Sequence, residues 1–240
     1  MATHWSHLTL DPGDNAVQSL RRSRLEVARL DPVDSRIEWI ASQCRGRNVL
    51  DVGCVGFATD GPPVAELHRA IAAAAGKCLG VDTNQAGIAA LQGQGFDVVF
   101  ADITSPEIGD AVGGPFEVIV GGELIEHLLN VGALLTNATA LLEPQGSLIL
   151  TSPNPYAITW VPKYILGRYS GDLDHIASFD PYQMAEIADR TGFELTAWMG
   201  ERACSEGKRA ILEWLARTAR RFRPSLHADC EVIIYVLTKP

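Results

Sequence analysis

The fold is decided by the stretch Val49-Leu50-Asp51-Val52-Gly53-Cys54-Val55-Gly56, a hydrophobic run that stops at an acid and then a glycine-containing turn. The run has the length and composition of a buried β-strand. Glycine lets a backbone approach a ligand closely, and doubly wound α/β folds bind their ligands at the carboxyl edge of the sheet. We therefore interpret this stretch as the first strand of such a sheet, with its turn in a binding site.

Two later runs end in the same way. The second predicted strand ends Leu79-Gly80-Val81-Asp82, and the third ends Ala101-Asp102. A carboxylate at the tip of a strand can accept hydrogen bonds from both hydroxyls of a ribose. Three successive strands that each end in an acid are a stronger indication of a cofactor site than the first turn alone.

Apolar, β-rich runs alternate with helical patterns along the chain, which is typical of a parallel sheet with helices on both faces. The predicted strands are residues 48–52, 78–81, 97–100, 116–120, 147–151, 193–199 and 231–237. The predicted helices are residues 64–75, 83–91, 130–142 and 181–191, together with two short helices within residues 1–45, the second starting at Asp31-Pro32. Gly76 is predicted to cap the first of these helices, whereas Asp180 should begin the last one and Gly192 should end it. The fold class is therefore doubly wound α/β.

Length and composition favour a single domain spanning residues 1–240, because 240 residues with 47% hydrophobic content supply an ordinary globular core. No apolar run is long enough for a membrane span, and the N-terminus does not resemble a signal peptide, so we expect a cytoplasmic protein. Five cysteines occur singly, without the CxxC spacing of a zinc knuckle or a disulfide framework. We expect them to be reduced and mostly buried.

The net charge of −9 makes nucleic acid an unlikely partner, since nucleic-acid binders need a basic face. Residues 208–223 are a local exception, with basic side chains surrounding apolar ones at helical spacing. We favour a solvated amphipathic helix there over an anion or partner site. The sequence leaves the oligomeric state open.

From about residue 48 to residue 199 the sequence resembles the class I S-adenosylmethionine-dependent methyltransferases. The resemblance rests on VLDVGC (residues 49–54), on Asp82 and Asp102, on FEVIV (residues 116–120) and on LLEPQGSL (residues 141–148). It implies a Rossmann-like sheet of seven strands, mostly parallel, that closes with an antiparallel C-terminal hairpin. It also implies that residues 49–54 wrap the methionine part of S-adenosylmethionine, that Asp82 holds the ribose and that Asp102 meets the adenine amino group.

The cofactor-binding residues expected on this basis are Asp51, Gly53, Cys54, Asp82, Thr83, Asp102, Ile103 and Gly121. The family's first loop commonly reads Gly-x-Gly-x-Gly, and this chain departs from it with Gly53-Cys54-Val55-Gly56-Phe57. A nicotinamide dehydrogenase is the rival interpretation, but it requires G-x-G-x-x-G leading directly into a helix. Residues 57–63 do not supply that helix start, so we favour the methyltransferase.

A candidate metal site follows the fourth strand, where Glu123, Glu126 and His127 occur at i, i+3 and i+4. On a helical turn these side chains share one face beside the cofactor edge, and they could hold Mg²⁺ or Mn²⁺. Alternatively, one acid only contacts cofactor or solvent while His127 packs as a polar core residue. His175, after Asp172-Leu173-Asp174, is the fourth candidate ligand.

Glu-x-x-Glu-His followed by a downstream histidine resembles the metal-dependent 2′-O-methyltransferases that act on the 3′ end of small RNAs. The ubiquinone-pathway O-methyltransferases are similar over Glu-x-x-Glu-His, and in both families the implied metal chelates two neighbouring substrate oxygens. Residues 152–180 are too long for a simple connection and predict a substrate lid with Tyr156, Trp160, Tyr164 and Tyr169. The Ser152-Pro153-Asn154-Pro155 segment also resembles bacterial methyltransferases of polysaccharide and secondary-metabolite pathways, which favours a saccharide.

The sequence therefore predicts O-methylation of a hydroxyl on a small molecule or saccharide, one of a vicinal pair, with S-adenosylmethionine as cofactor. If no metal binds, His127 or His175 is the expected general base, since an imidazole bound to metal cannot also accept the proton. Two alternatives stay open: a small-RNA 3′-end methyltransferase, and a non-catalytic protein that binds S-adenosylmethionine. The sequence does not identify the acceptor or separate O- from N-methylation.

Overall fold

The computed structural model describes residues 15–56, 65–167, 174–202, 218 and 227–240. The strands in these ranges are β1 (Asn48–Val52), β2 (Lys77–Asp82), β3 (Val98–Phe100), β4 (Phe116–Gly121), β5 (Leu142–Pro153), β6 (Glu194–Arg202) and β7 (Cys230–Thr238). The α-helices are α1 (Asn15–Ala28), α2 (Arg36–Cys44), α3 (Glu66–Ala74), α4 (Gln85–Gln92), α5 (Ile108–Val112), α6 (Val131–Leu141), α7 (Val161–Ile165) and α8 (Pro181–Arg190). Short 3₁₀ helices cover Ile125–His127 and Ile158–Trp160.

These strands form one seven-stranded sheet in the order β3-β2-β1-β4-β5-β7-β6. Strands β1 to β5 pair in parallel, and β7 runs antiparallel between β5 and β6. The predicted fold class and the C-terminal hairpin are confirmed. The strand order reverses between β1 and β4, which is where a doubly wound sheet opens a ligand crevice at its carboxyl edge.

Strand β1 is buried on both faces, and its neighbouring residues enter different cores. Leu50 packs in the cluster that contains Leu134 of α6, whereas Val49 packs with Ile40 of α2 and Ile71 of α3. A parallel strand covered by helices on both sides has no solvent-exposed face, which explains why Val49, Leu50 and Val52 are all apolar.

The structure corrects two of the predicted helix boundaries. Helix α2 begins at Arg36, because the side chain of Ser35 caps it by accepting from the amide of Glu38. Gly76 is not the C-cap of α3, which ends at Ala74 and is capped by Ala75; a Cβ on Gly76 would lie 2.6 Å from the carbonyl oxygen of Gly46. Glycine is needed there so that two backbone segments can approach.

The predicted ends of the last helix are confirmed. Asp180 and Gln183 form a reciprocal capping box at the start of α8, and Gly192 follows its end with a φ of 83°. The basic segment 208–223, apart from Thr218, lies outside the described residues, as do residues 57–63 and Tyr169.

Within the described part of the chain, none of Cys44, Cys54, Cys78 and Cys230 forms a disulfide; Cys78 is partly buried and the other three are buried. No helix in the same ranges has both the length and the apolar character that crossing a bilayer requires.

Candidate active site

The turn after β1 is hydrogen-bonded to the end of β2. Gly53 has a φ of 76°, and the amides of Gly53 and Cys54 donate to the carbonyl oxygen of Val81 at 2.8 and 3.3 Å. The amide of Val55 donates to Oδ2 of Asp82 at 3.0 Å. A non-glycine residue at position 53 would be strained in this left-handed conformation. The predicted methionine-binding turn and the predicted ribose acid are therefore parts of one hydrogen-bonded unit.

The two predicted cofactor acids lie side by side at the carboxyl edge. Asp82 and Phe100 are register partners in β2 and β3, and Asp102 follows Phe100 closely. Each carboxylate is oriented by its own turn: Asp82 accepts from the amide of Asn84 at 2.8 Å, and Asp102 accepts from the amide and hydroxyl of Thr104 at 2.8 and 2.7 Å. Short turns of this kind fix the direction of a carboxylate before any ligand arrives.

Neighbouring predicted residues differ in exposure. Thr83 and Asp102 are exposed at the edge, whereas Ile103 is buried. Asn137 of α6 donates to the carbonyl oxygens of Ile103 and Ser105 at 2.7 and 2.8 Å, which fixes the loop that carries Asp102. Of the predicted residues after β2 and β3, Thr83 and Asp102 are therefore exposed at the carboxyl edge, and the side chain of Ile103 is buried.

Gly121 ends β4 opposite Val52 of β1. A Cβ on Gly121 would lie 3.0 Å from Cδ2 of Leu150, and one on Gly122 would lie 2.4 Å from Cδ2 of Leu67. Packed leucines fill the space that side chains at these positions would need. The edge between β1 and β4 is therefore lined by backbone.

Asp51 does not reach the exposed edge. Its carboxylate is 2% exposed and lies 2.8 Å from Nδ1 of His68, which is itself 1% exposed on α3. Burial raises the pKa of Asp51, and the hydrogen bond with His68 opposes that shift. Cys54 is also buried, and burial raises the pKa of its thiol. Both side chains are therefore buried, and sequence reasoning missed His68 because it lies among the apolar positions of an alanine-rich helix.

The structure does not place Glu123 with the other predicted metal ligands. Its backbone has a φ of 48°, and the 3₁₀ helix begins only at Ile125, so residues 123–127 do not form the regular helical turn expected from the spacing. Oε2 of Glu123 lies 2.6 Å from the guanidinium of Arg36 on α2. The left-handed residue turns the carboxylate away from its neighbours, and an ion pair holds it there.

The other three predicted ligands are brought together. Glu126, His127 and His175 each offer a ligand atom, and these atoms lie within 4.8 Å of one another. The imidazole rings of the two histidines meet edge to face with centroids 4.7 Å apart. Oδ2 of Asp174 lies 3.4 Å from Nδ1 of His127. A carboxylate in contact with an imidazole orients that ring, as in many metal and acid–base sites.

Glu126 is the most unusual group in this cluster. Its side chain is 1% exposed, and neither carboxylate oxygen has a hydrogen-bond partner among the described residues. Burial raises the pKa of Glu126 to about 7. The amides of Ile176 and Ala177 donate to its backbone carbonyl oxygen at 2.9 and 3.3 Å, which brings His175 to the site. A buried carboxylate without donors requires either a proton or a cation.

The predicted lid residues divide into packed and exposed ones. Trp160 donates through Nε1 to the carbonyl oxygen of Asn154 at 2.9 Å, and the hydroxyl of Tyr156 donates to Asp180 at 2.8 Å. Tyr164 on α7 is 60% exposed. Tyr156 and Trp160 thus bond to residues at the two ends of the same segment, whereas Tyr164 is exposed to solvent.

Comparison with known proteins adds to this geometry. Residues 18–197 match the family model described as a methyltransferase domain. A ubiquinone biosynthesis O-methyltransferase of Dechloromonas aromatica is 26% identical over 203 residues, which cover 77% of this chain and 84% of that protein. A probable S-adenosylmethionine-dependent methyltransferase of Mycolicibacterium smegmatis is 24% identical over 78% of this chain and 66% of its own length.

Solved structures share the fold. Magnesium protoporphyrin IX methyltransferase from Synechocystis, with bound SAH (S-adenosylhomocysteine), superposes with a TM-score of 0.57 at 14% identity, over 95% of this chain and 88% of that one. A SAM-dependent methyltransferase from Archaeoglobus fulgidus superposes with a TM-score of 0.55 at 18% identity, over 85% of this chain and 95% of that one. The family match spans well over half of the sequence and includes the cofactor edge. The chain therefore belongs to the methyltransferase-domain family and is an S-adenosylmethionine-dependent methyltransferase.

Proposed function

We propose that this enzyme transfers a methyl group to a hydroxyl of a small molecule or saccharide, one of a vicinal pair, with the help of a divalent cation. The observation that carries the proposal is the buried carboxylate of Glu126, without a hydrogen-bond partner among the described residues, beside His127 and His175. The relatives named as ubiquinone biosynthesis O-methyltransferases support oxygen as the acceptor atom.

The donor set fits a divalent cation. One carboxylate and two imidazoles suit Mn²⁺ better than Mg²⁺, which prefers oxygen ligands throughout. Glu126, His127 and His175 would hold the cation, and two neighbouring substrate oxygens could add to its ligands, which is why we favour a vicinal pair. When bound, the cation would supply positive charge that lowers the pKa of an acceptor hydroxyl.

The residues of the chain provide alignment. We assign the ribose hydroxyls to Asp82, the adenine amino group to Asp102 and the methionine part to the turn at residues 53–56. These groups would hold the sulfonium so that the acceptor oxygen approaches the methyl group in line with the departing sulfur. Methyl transfer also requires loss of the hydroxyl proton.

A second candidate mechanism dispenses with the metal and uses a histidine as base. The contact between Asp174 and Nδ1 of His127 favours it, because a carboxylate behind an imidazole orients the ring and stabilises its protonated form. The two mechanisms compete for the same residues. A small-RNA acceptor is disfavoured by the net charge of −9.

A transfer assay with paired acceptors tests the proposal. Catechol is compared with phenol, and a saccharide with its analogue lacking one vicinal hydroxyl, each with S-adenosylmethionine and either Mn²⁺ or excess chelator. We expect transfer to the vicinal acceptors only, loss of transfer in chelator, and S-adenosylhomocysteine binding that chelator leaves intact. Full activity in chelator contradicts the metal, and equal transfer to the single-hydroxyl analogues contradicts the vicinal pair.

A further inference from the structure

A second cluster of metal-ligating side chains lies at the start of β7. His227 and Asp229 are each 2% exposed, and Cys230 is fully buried. One ligand atom from each of the three lies within 4.8 Å of the others. We propose that His227, Asp229 and Cys230 bind a zinc ion. This inference is independent of the proposed acceptor and of the Glu126 site.

The chemistry of the three donors selects the metal. A thiolate, an imidazole and a carboxylate are the donors that zinc takes in proteins, and a thiolate is a poor ligand for Mg²⁺ or Ca²⁺. Three protein ligands also leave room for a fourth in a tetrahedral site. The donors occur as His-x-Asp-Cys in one short turn, a spacing that differs from the CxxC knuckles that the sequence lacks.

The turn that carries the donors is hydrogen-bonded to a buried side chain. Asn154 is fully buried, and its side-chain amide donates to the carbonyl oxygens of His227 and Cys230 at 3.0 and 2.9 Å. His227 has a backbone φ of 47°, a left-handed conformation that residues other than glycine rarely adopt. Strained backbone fixed by buried hydrogen bonds is typical of functional sites, because it aims side chains in a direction that an ordinary turn would not.

The neighbouring strand leaves space for the thiol. A Cβ on Gly200 of β6 would lie 2.5 Å from Sγ of Cys230, so only glycine fits beside the sulfur. On the other side, the indole of Trp198 packs edge-on against the imidazole of His227 with centroids 5.1 Å apart. Packing on both sides restricts the rotamers of the two donors.

The cluster also lies at the base of the lid segment. The amide of Ile158 donates to the carbonyl oxygen of Ala228 at 2.7 Å. The amide of Asn154 donates to the carbonyl oxygen of Glu231, also at 2.7 Å. A zinc ion would therefore stabilise the turn to which the end of β5 and the first turn of the lid are hydrogen-bonded. We expect its role to be structural, because the donors are closed to solvent.

Cobalt substitution of the full-length enzyme tests the site. Co²⁺ bound to a thiolate gives a sulfur-to-cobalt charge-transfer absorption, which the Glu126 site cannot produce because it contains no cysteine. After the bound zinc has been removed with chelator, we expect about one equivalent of Co²⁺ to generate this band in the wild type, and added Zn²⁺ to abolish it. Cys230→Ser should lose the band. Cys44→Ser, which alters another buried thiol, and Glu126→Gln should both keep it.

Two further measurements separate loss of ligand from loss of fold. Asp229→Asn retains the thiol and should keep the band but weaken Co²⁺ binding by at least ~10-fold. Zinc content of the wild type, purified without chelator, should be near one equivalent by mass spectrometry. A wild-type protein that binds Co²⁺ without the charge-transfer band, or a Cys230→Ser variant that retains it, overturns the proposal. Neither result bears on Mn²⁺-dependent transfer, which tests the proposed function separately.

Discussion

The imidazole of His175 lies edge-on against that of His127, with ring centroids 4.7 Å apart. The two residues come from different parts of the chain, one from the 3₁₀ turn after β4 and the other from the segment before α8. Their meeting depends on the amides of Ile176 and Ala177, which bind the carbonyl oxygen of Glu126. The Glu126 site is therefore assembled from two segments of the chain, each of which contributes one histidine.

The alanine variants of His127 and His175 distinguish a metal ligand from a general base. For a ligand, each variant should lose turnover and should also require more Mn²⁺ to recover what remains. The measurement is a Mn²⁺ titration of the transfer rate for each variant. Lost activity with an unchanged Mn²⁺ requirement would instead assign a base, and the pH profile of each variant would then show which histidine it is.

The two glutamates of the Glu-x-x-Glu-His motif should behave differently. Glu126→Gln removes the buried carboxylate, so we expect Mn²⁺ affinity to fall at least ~10-fold. Glu123→Gln is the matched control: it disrupts only a partly exposed ion pair with Arg36, worth about 0–1 kcal/mol, and should leave Mn²⁺ affinity nearly unchanged. Calorimetric titration of both variants gives the comparison. A larger effect at Glu123 would restore it to the ligand set.

Asp82→Ala should weaken the binding of S-adenosylmethionine. Each charge-assisted hydrogen bond to the ribose contributes on the order of 1.5–3 kcal/mol, so we expect a loss of at least ~10-fold in affinity. Because Asp82 also accepts from Val55 and Asn84, Asp82→Asn is the control that keeps an acceptor for these amides. Calorimetry decides the assignment: an unchanged affinity in Asp82→Ala would mean that another group holds the ribose.

Because the chain is acidic, we expect it not to bind RNA or DNA in a salt-sensitive way. A net charge of −9 opposes a phosphate backbone at physiological ionic strength. Fluorescence anisotropy of labelled single- and double-stranded oligonucleotides at two salt concentrations is the appropriate measurement. Micromolar binding that falls steeply with salt would reinstate the small-RNA alternative and direct attention to residues 208–223.

Asp189 on α8 should make the stability of the enzyme depend on pH. Burial raises the pKa of this carboxyl to about 7, and the nearby Arg24 only partly opposes the shift. The folded state therefore binds the proton more tightly than the unfolded state, so stability is lost as pH rises from about 4 to about 7. Asp189→Asn removes that loss and should be more stable than the wild type at pH 8 by about 1–2 kcal/mol, after discounting for its partial exposure.

Urea unfolding at pH 5 and pH 8 measures this effect. The advantage of Asp189→Asn over the wild type should narrow at pH 5, where the carboxyl is protonated in the folded state. Asp31→Asn, at an exposed position, is the control. A difference that does not change between the two pH values would show that Asp189 ionises normally in the folded enzyme.

Much of the fold could be predicted because it depends on local patterns. Val49, Leu50 and Val52 are apolar because β1 is covered on both faces, and Asp82 and Asp102 occur where β2 and β3 end. The bounds of β5 were predicted less well: β5 begins at Leu142, before the predicted 147, because the residues after α6 extend directly from the helix into the sheet. The sequence contains no turn residue that would mark where α6 ends and β5 begins.

The candidate site was predicted only in part, since spacing does not reveal backbone conformation. Regular helical geometry places Glu123 beside His127, but a left-handed residue and a distant partner, Arg36, take it elsewhere. His68 was missed because a single histidine on an alanine-rich helix does not show that its partner is Asp51. Contacts that depend on tertiary packing leave no periodic trace in the sequence.

The lid segment is attached at both ends, by Asn154 to the carbonyl oxygens of His227 and Cys230 near its start and by Ile176 to the carbonyl oxygen of Glu126 near its end. Residues 161–167 lie between these attachments, and four of them, Val161, Tyr164, Ile165 and Leu166, are exposed hydrophobic residues. Grafting that stretch from relatives with other acceptors should alter substrate choice while the cofactor edge and Glu126 stay as they are. For protein engineering, this enzyme therefore offers a ready boundary along which acceptor specificity can be recombined.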